Sequence, residues 1–178
     1  MQKREKAILS AFVFHSRFQL LNSRFSMTDS KPPRPSTGAI LYDLPSPYLA
    51  HPAFGLLHLP RFIAKARKHL AGALPPSYQR NFTKGFDGFL CLHLGVDPQM
   101  VVAAVGDAKD EDDLTARLRK ILPANVNAAK WNRQVVQMGM SEMGREALAA
   151  TKKKMAIEDR EDLRSFADLI EYDEERLA

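Results

Sequence analysis

The chain has 178 residues, 45% of them hydrophobic, with 26 lysines and arginines against 21 aspartates and glutamates, and one cysteine, Cys91. That length can bury a core without disulfides or metals, a lone cysteine rules out an internal disulfide and fits a reducing compartment, and no apolar run reaches the ~18–20 residues that span a bilayer. The formal charge of +5 is uneven: residues 1–26 hold Lys3, Arg4, Lys6, Arg17 and Arg24 against Glu5 alone, so the other 152 residues sum to only +1, which argues against a nucleic-acid footprint on the folded part.

Residues 1–26 join this basic start to a short apolar piece, Ala7 to Phe14, and then to Ser16, Ser23 and Ser26. The segment lacks the small-x-small cleavage site of a secretory signal. An organelle-import leader and sequence upstream of a start at Met27 are the two remaining readings, and disorder is expected under either. Residues 27–38, with Lys31-Pro32-Pro33-Arg34-Pro35, read as an extended linker. Ile40 to Leu49 mixes apolar and polar residues between Pro45 and Pro47, the pattern of an extended arm across a core.

The clearest helix follows. Pro60 suits a first turn. Leu59, Phe62, Ile63, Ala66 and Leu70 form one apolar stripe, while Arg61, Lys65 and Lys68 line another face and Gly72 supplies a left-handed stop. Pro75-Pro76 enforces a loop through Tyr78, Arg80 and Asn81. Phe86 to Leu94 reads as a short buried helix closed by Gly95. Asp97-Pro98 is a cap followed by a first-turn proline, opening a helix that ends at Gly106.

The acidic run Asp110 to Asp113 suits the next helix start, with Leu114, Leu118, Ile121 and Leu122 as its apolar face and Pro123 as its end. Asn127 caps a helix carrying Trp131, Val135 and Val136. Ser141 opens another that finishes in Lys152-Lys153-Lys154, where cations complement the dipole. Asp159 is the expected cap for a last helix bearing Leu163, Phe166, Leu169 and Ile170. The result is an all-α fold: a compact bundle of six or seven short helices over 39–178, with a proline-rich N-terminal arm.

The soft-ligand inventory is His51, His58, His69, Cys91 and His93. Cys91-x-His93 matches no zinc spacing, so no metal or other cofactor is assigned. Cys91 among Leu90, Leu92 and Leu94 reads as a small inert hydrophobe. Gly85-Phe86-Asp87-Gly88 lacks the lysine of a phosphate-cradling loop, and no Gly-x-Ser-x-Gly elbow, zincin or EF-hand pattern occurs. No residue is therefore assigned as catalytic.

Tyr48, Arg61, Arg67, Tyr78, Trp131 and Arg133 are the side chains least explained by packing. Arginine beside aromatic residues builds pockets for anions or planar ligands. The competing reading pairs the arginines with acidic residues and helix ends, and leaves Trp131 in the core.

Ser46-Pro47-Tyr48, Leu59-Pro60-Arg61, Lys65-Ala66-Arg67 and Leu70-Ala71-Gly72 resemble the opening of an uncharacterised bacterial family of small helical proteins that carry a domain of unknown function. Phe89-Leu90 with Leu94 to Asp97 resembles its middle. Trp131-Asn132, Arg160 to Leu163 and Asp168 to Glu174 resemble its C-terminal part, so the likeness spans roughly Tyr42 to Arg176. The chain departs from that pattern at Ala64, where an aspartate often precedes Lys-Ala-Arg, and in the loop from Tyr78 to Phe86. The resemblance implies a soluble bacterial cytoplasmic protein with no assigned activity, and it favours Met27 as the start.

The expectation is a non-catalytic binding or regulatory domain for a small anionic ligand or a protein partner, monomeric or homodimeric. The alternative is a small enzyme whose helix-lined pocket draws acid/base groups from Asp87, His93 or Asp168. Nucleic-acid binding ranks last.

Overall fold

The computed structural model describes residues 38–177; the leader over 1–26 and all but the last residue of the linker lie outside them. Among the described residues there are eight helices: α1 Leu59–Leu70, α2 Pro76–Gln79, α3 Gly85–Leu94, α4 Pro98–Asp107, α5 Glu111–Ile121, α6 Ala128–Gln137, α7 Glu142–Lys154 and α8 Phe166–Asp173. The only pairing of β type among them is an isolated bridge, Ala50 with Leu57. The fold is all-α, as expected. None of these helices is long and apolar enough to cross a membrane.

The ends form where side chains can meet orphan backbone N–H groups. Asp97 accepts from Gln99 N, Asp110 from Asp113 N, Asn127 from Lys130 N and Ser141 from Gly144 N. Gly95 takes φ 68 and closes α3, a conformation open to glycine at little cost.

Two boundaries correct the sequence reading. The segment after Pro75 contains a single helical turn, α2, with Pro76 at its start. The last helix begins after Ser165, not Asp159: Ser165 accepts from Asp168 N while the Asp168 side chain accepts from Ser165 N, a reciprocal box. Leu163 is fully buried from the irregular segment before it. The arm is also less extended than its prolines imply. It turns at Leu41–Leu44 and Ser46–Leu49, closing bonds of 3.2 and 3.1 Å.

Apolar burial is split into two clusters. The larger gathers Leu59, Phe62, Ile63 and Ala66 of α1 with Leu90, Val101, Leu114, Leu118, Trp131 and Val135, and α1 packs chiefly on α4, which packs on α5. Leu70, expected in the stripe, is the last residue of α1 and is 52% exposed. The smaller cluster comprises Leu148, Met155, Ile157, Leu163, Leu169 and Tyr172, with Phe166 against it. The apolar gain from sealing both clusters leaves a space that neither fills.

Candidate functional site

That space is a cavity of about 710 Å³. His58, Arg61 and Lys65 line it from α1 and its lead-in, Ser77 and Tyr78 from α2, and Phe86 and Phe89 from α3. Across from them stand Met143, Ala147 and Thr151 of α7, then Met155, and Phe166, Leu169, Ile170 and Glu174 of α8 and its end. Two of these, Met155 and Leu169, belong to the smaller cluster. Most of the wall is apolar; its charged residues are Arg61 and Lys65 of α1, Arg80 after α2, and Asp173 and Glu174 at the end of α8.

His58, Arg61 and Lys65 follow one another at offsets 0, 3 and 7, so they share one helix face. Arg61 and Lys65 were expected on a polar face with Lys68. Instead both are buried, and only Lys68 turns outward to Asp43, at 2.5 Å. Each buried cation has its own carboxylate. Arg61 binds Glu174 through both terminal nitrogens, Nη1 at 2.9 Å, and Nη1 also donates to the Pro45 carbonyl at 3.0 Å. The Tyr78 hydroxyl at 2.8 Å and an Arg176 nitrogen complete the ring of donors around Glu174. Burial works to raise the Glu174 carboxyl, and the Arg61 bonds outweigh it, leaving it below the usual carboxylate range. Burial pushes the Tyr78 phenol up to about 12, so it remains a donor.

Lys65 donates to both oxygens of Asp87, at 2.7 and 2.6 Å, and Thr83 N adds a third bond at 3.2 Å. Asp87 lies in the first turn of α3 and is 0% exposed. Burial alone raises such a carboxyl; here the Lys65 charge and the His58 bond overcome it and hold Asp87 below its ordinary range. Burial likewise pulls the Lys65 ammonium down, against the pull of Asp87.

His58 is the fourth member, with Nε2 at 2.8 Å from Asp87 Oδ1. An ionised carboxylate only accepts, so Nε2 carries the proton and Nδ1 keeps a bare lone pair. Burial pushes the imidazole down to about 4 despite Asp87, so the ring is neutral near pH 7. Nδ1 is buried with no hydrogen-bond partner, and the one other such side-chain atom among the described residues is Ser77 Oγ. Both residues line the cavity.

The position of His58 is built deliberately. It takes a left-handed backbone, φ 68, which is uncommon for a non-glycine residue. Its side chain does not cap α1, so capping does not account for the residue. Two residues before it are pinned from α6 by three bonds: Trp131 Nε1 donates to Leu57 O at 2.8 Å, Leu57 N donates to Asn132 Oδ1 at 2.9 Å, and Asn132 Nδ2 donates to Gly55 O at 2.8 Å. The imidazole also lies 5.1 Å from the Phe86 ring centroid.

The six candidates therefore divide. Arg61 and Tyr78 meet on Glu174 and line the cavity. Tyr48 stands apart, bonded to Asp168 and, at 3.0 Å, to Ser165. Trp131 is a core residue that steadies the approach to His58. Arg67 pairs with Glu111 at 2.6 Å on the exposed side of α1, and Arg133 is exposed on α6. Neither lines the cavity.

The three acid/base candidates do not converge: Asp87 is with His58 and Lys65, Asp168 with Tyr48, and His93 lies 5.6 Å from the Trp131 ring with a 3.3 Å contact to Asn127 O. Cys91 is buried, and burial pushes its thiol up to about 12, where it is inert. His51, His69 and His93 neighbour Phe54, Phe82 and Trp131 separately. No three His, Cys, Asp or Glu side chains among the described residues form a metal-holding group.

Sequence reasoning missed His58, Lys65, Ser77 and Glu174 as site residues. One signal was available: Asp87 is a lone carboxylate between Phe86 and the apolar run Phe89 to Leu92, and a buried carboxylate requires a cation. Neither a curated protein nor a solved structure matches the chain. A family model does match, over residues 49–176, and its description is a domain of unknown function, DUF5069. By that span, the chain belongs to the DUF5069 family.

Proposed function

We propose that this protein is a non-catalytic binding domain for one small molecule with an apolar body and a polar head, seated between the two hydrophobic clusters. The observation that carries the reading is a cavity of about 710 Å³ with a largely apolar wall, one of whose lining residues, His58, keeps a buried and unspent nitrogen; the size and lining are typical of ligand pockets. The expected preference for an anion is narrowed by the charges. Arg61 and Lys65 are already matched by Glu174 and Asp87, so an anionic group is better served by Arg80, exposed at the rim.

Native mass spectrometry of the full chain, beside an Ala147→Trp variant that fills the cavity, tests this. A discrete extra mass on the wild type that is lost from the folded variant is the expected result. A ligand retained by Ala147→Trp moves the site elsewhere. Wild-type protein that arrives bare and leaves a naphthalene dye unaffected defeats the reading.

The Asp87–His58 pair favours a second reading, an acid/base enzyme, because a carboxylate that orients a neutral imidazole is the arrangement of a general base. The low basicity of His58 weighs against it, since an efficient base is poised near the working pH.

A further inference from the structure

We propose that His58 is the residue that selects the ligand: its Nδ1 accepts a hydrogen bond from an uncharged N–H or O–H head group, so the cavity takes apolar donors and turns away carboxylates and phosphates at that point. The inference rests on the binding reading above and adds the chemical class of the occupant.

The argument begins with Asp87, whose two oxygens are met by Lys65, Thr83 N and His58 Nε2. This bonding fixes the tautomer and leaves the acceptor on the other side of the ring. His58 is 1% exposed and no protein group meets that acceptor, an arrangement whose cost a folded protein normally avoids. A left-handed backbone adds to the cost. Outliers of this kind persist where the surroundings over-determine them, commonly at binding sites, and here Trp131, Asn132, Phe86 and Asp87 all constrain the residue.

A bare lone pair repels an anion's oxygen and attracts a donor. The nearby cations do not reverse this, because Lys65 and Arg61 face carboxylates of their own. Ser77 lines the same cavity and its Oγ is the second unspent atom; a hydroxyl can donate or accept and so does not narrow the class.

Three probes of one shape separate the possibilities: 2-naphthol, its methyl ether 2-methoxynaphthalene, and 2-naphthoate. Binding to the full chain is followed by the methyl signals of the cavity methionines Met138, Met143 and Met155. The expected result is 2-naphthol bound about tenfold or more tighter than the ether, with 2-naphthoate weakest. In His58→Asn, a residue type that tolerates the left-handed backbone, the preference collapses while the ether still binds.

A wild-type measurement stands beside the variant in case it does not fold. The Nδ1 nitrogen-15 resonance shifts with 2-naphthol and not with the ether. Equal binding of alcohol and ether, or tightest binding of the naphthoate, overturns the role of His58 and leaves the binding reading intact. Three probes that all leave the methionines unmoved overturn both.

Discussion

Arg61 and Lys65 stand one turn apart on α1, each buried and each facing a carboxylate brought in from elsewhere, yet the two pairs are finished differently. Glu174 is held by four donors, two from Arg61 and one each from Tyr78 and Arg176, and Arg61 has the Pro45 carbonyl besides. Nothing there remains to be bound. Around Asp87 the charges also cancel, but the network ends on His58 with one nitrogen unmet. Charge neutrality and hydrogen-bond saturation are separate tests of a buried cluster. A cluster that passes both holds the fold; one that passes only the first has an atom left for something else.

The sharpest way to break this comparison is to remove each carboxylate. Glu174→Leu strands Arg61, which cannot shed its proton, and the expected loss of stability is about 3–5 kcal/mol, unchanged between neutral and alkaline pH. Asp87→Leu strands Lys65, which can become neutral. Its loss is expected to be smaller, about 2–4 kcal/mol near pH 7, and to shrink as pH rises. Urea denaturation at neutral and alkaline pH checks both, and two variants with the same pH response would erase the distinction.

Acidification comes next. The His58 pKa falls from 6.5 unfolded to about 4 folded, so between those values the unfolded chain binds a proton that the native protein excludes. Stability is therefore full above pH 6.5 and declines toward pH 4, by about 3 kcal/mol if the whole shift is realised. His58→Asn is expected to flatten that slope. Below pH 4 a further decline follows as Asp87 and Glu174, both held below their usual range, take up protons.

The smallest effect belongs to the outward face of α1. Arg67 and Glu111 pair while both are exposed, and Arg67→Ala is expected to cost less than about 0.5 kcal/mol and to leave probe binding unchanged. A larger loss would extend the site around the helix.

What was legible in the sequence follows from distance along the chain. Gly95, Asp97, Asp110, Asn127 and Ser141 act on backbone within a few residues, and each helix boundary they imply is in place. Ser165 is hard to find because its reciprocal partner is Asp168, where glutamate or glutamine is the usual signature, and because Asp159 is another residue that favours the cap position. The cavity was half legible. Arg61 and Tyr78 stood out as excess to packing, but Glu174, which joins them, lies 113 and 96 residues away. The spacing places Lys65 with Arg61 and Lys68 on a face other than the apolar stripe, and does not show that this face is covered. Only the position of Asp87 on α3 turns it inward.

The long separations have a consequence for how the molecule is made. Arg61 waits 113 residues for Glu174, and Tyr48 waits 120 for Asp168. During synthesis the larger apolar cluster, complete apart from Ala167 once α6 has emerged, can condense while α8 is still to come. At that stage the His58 side of the cavity is a wall without a counterpart, and an apolar trough stands open beside an unmatched arginine. Nascent chains held at such a stage are the ones that aggregate or recruit chaperones. A ligand of the proposed kind would have nothing to close over it until α8 leaves the ribosome, so its capture would report the arrival of that helix.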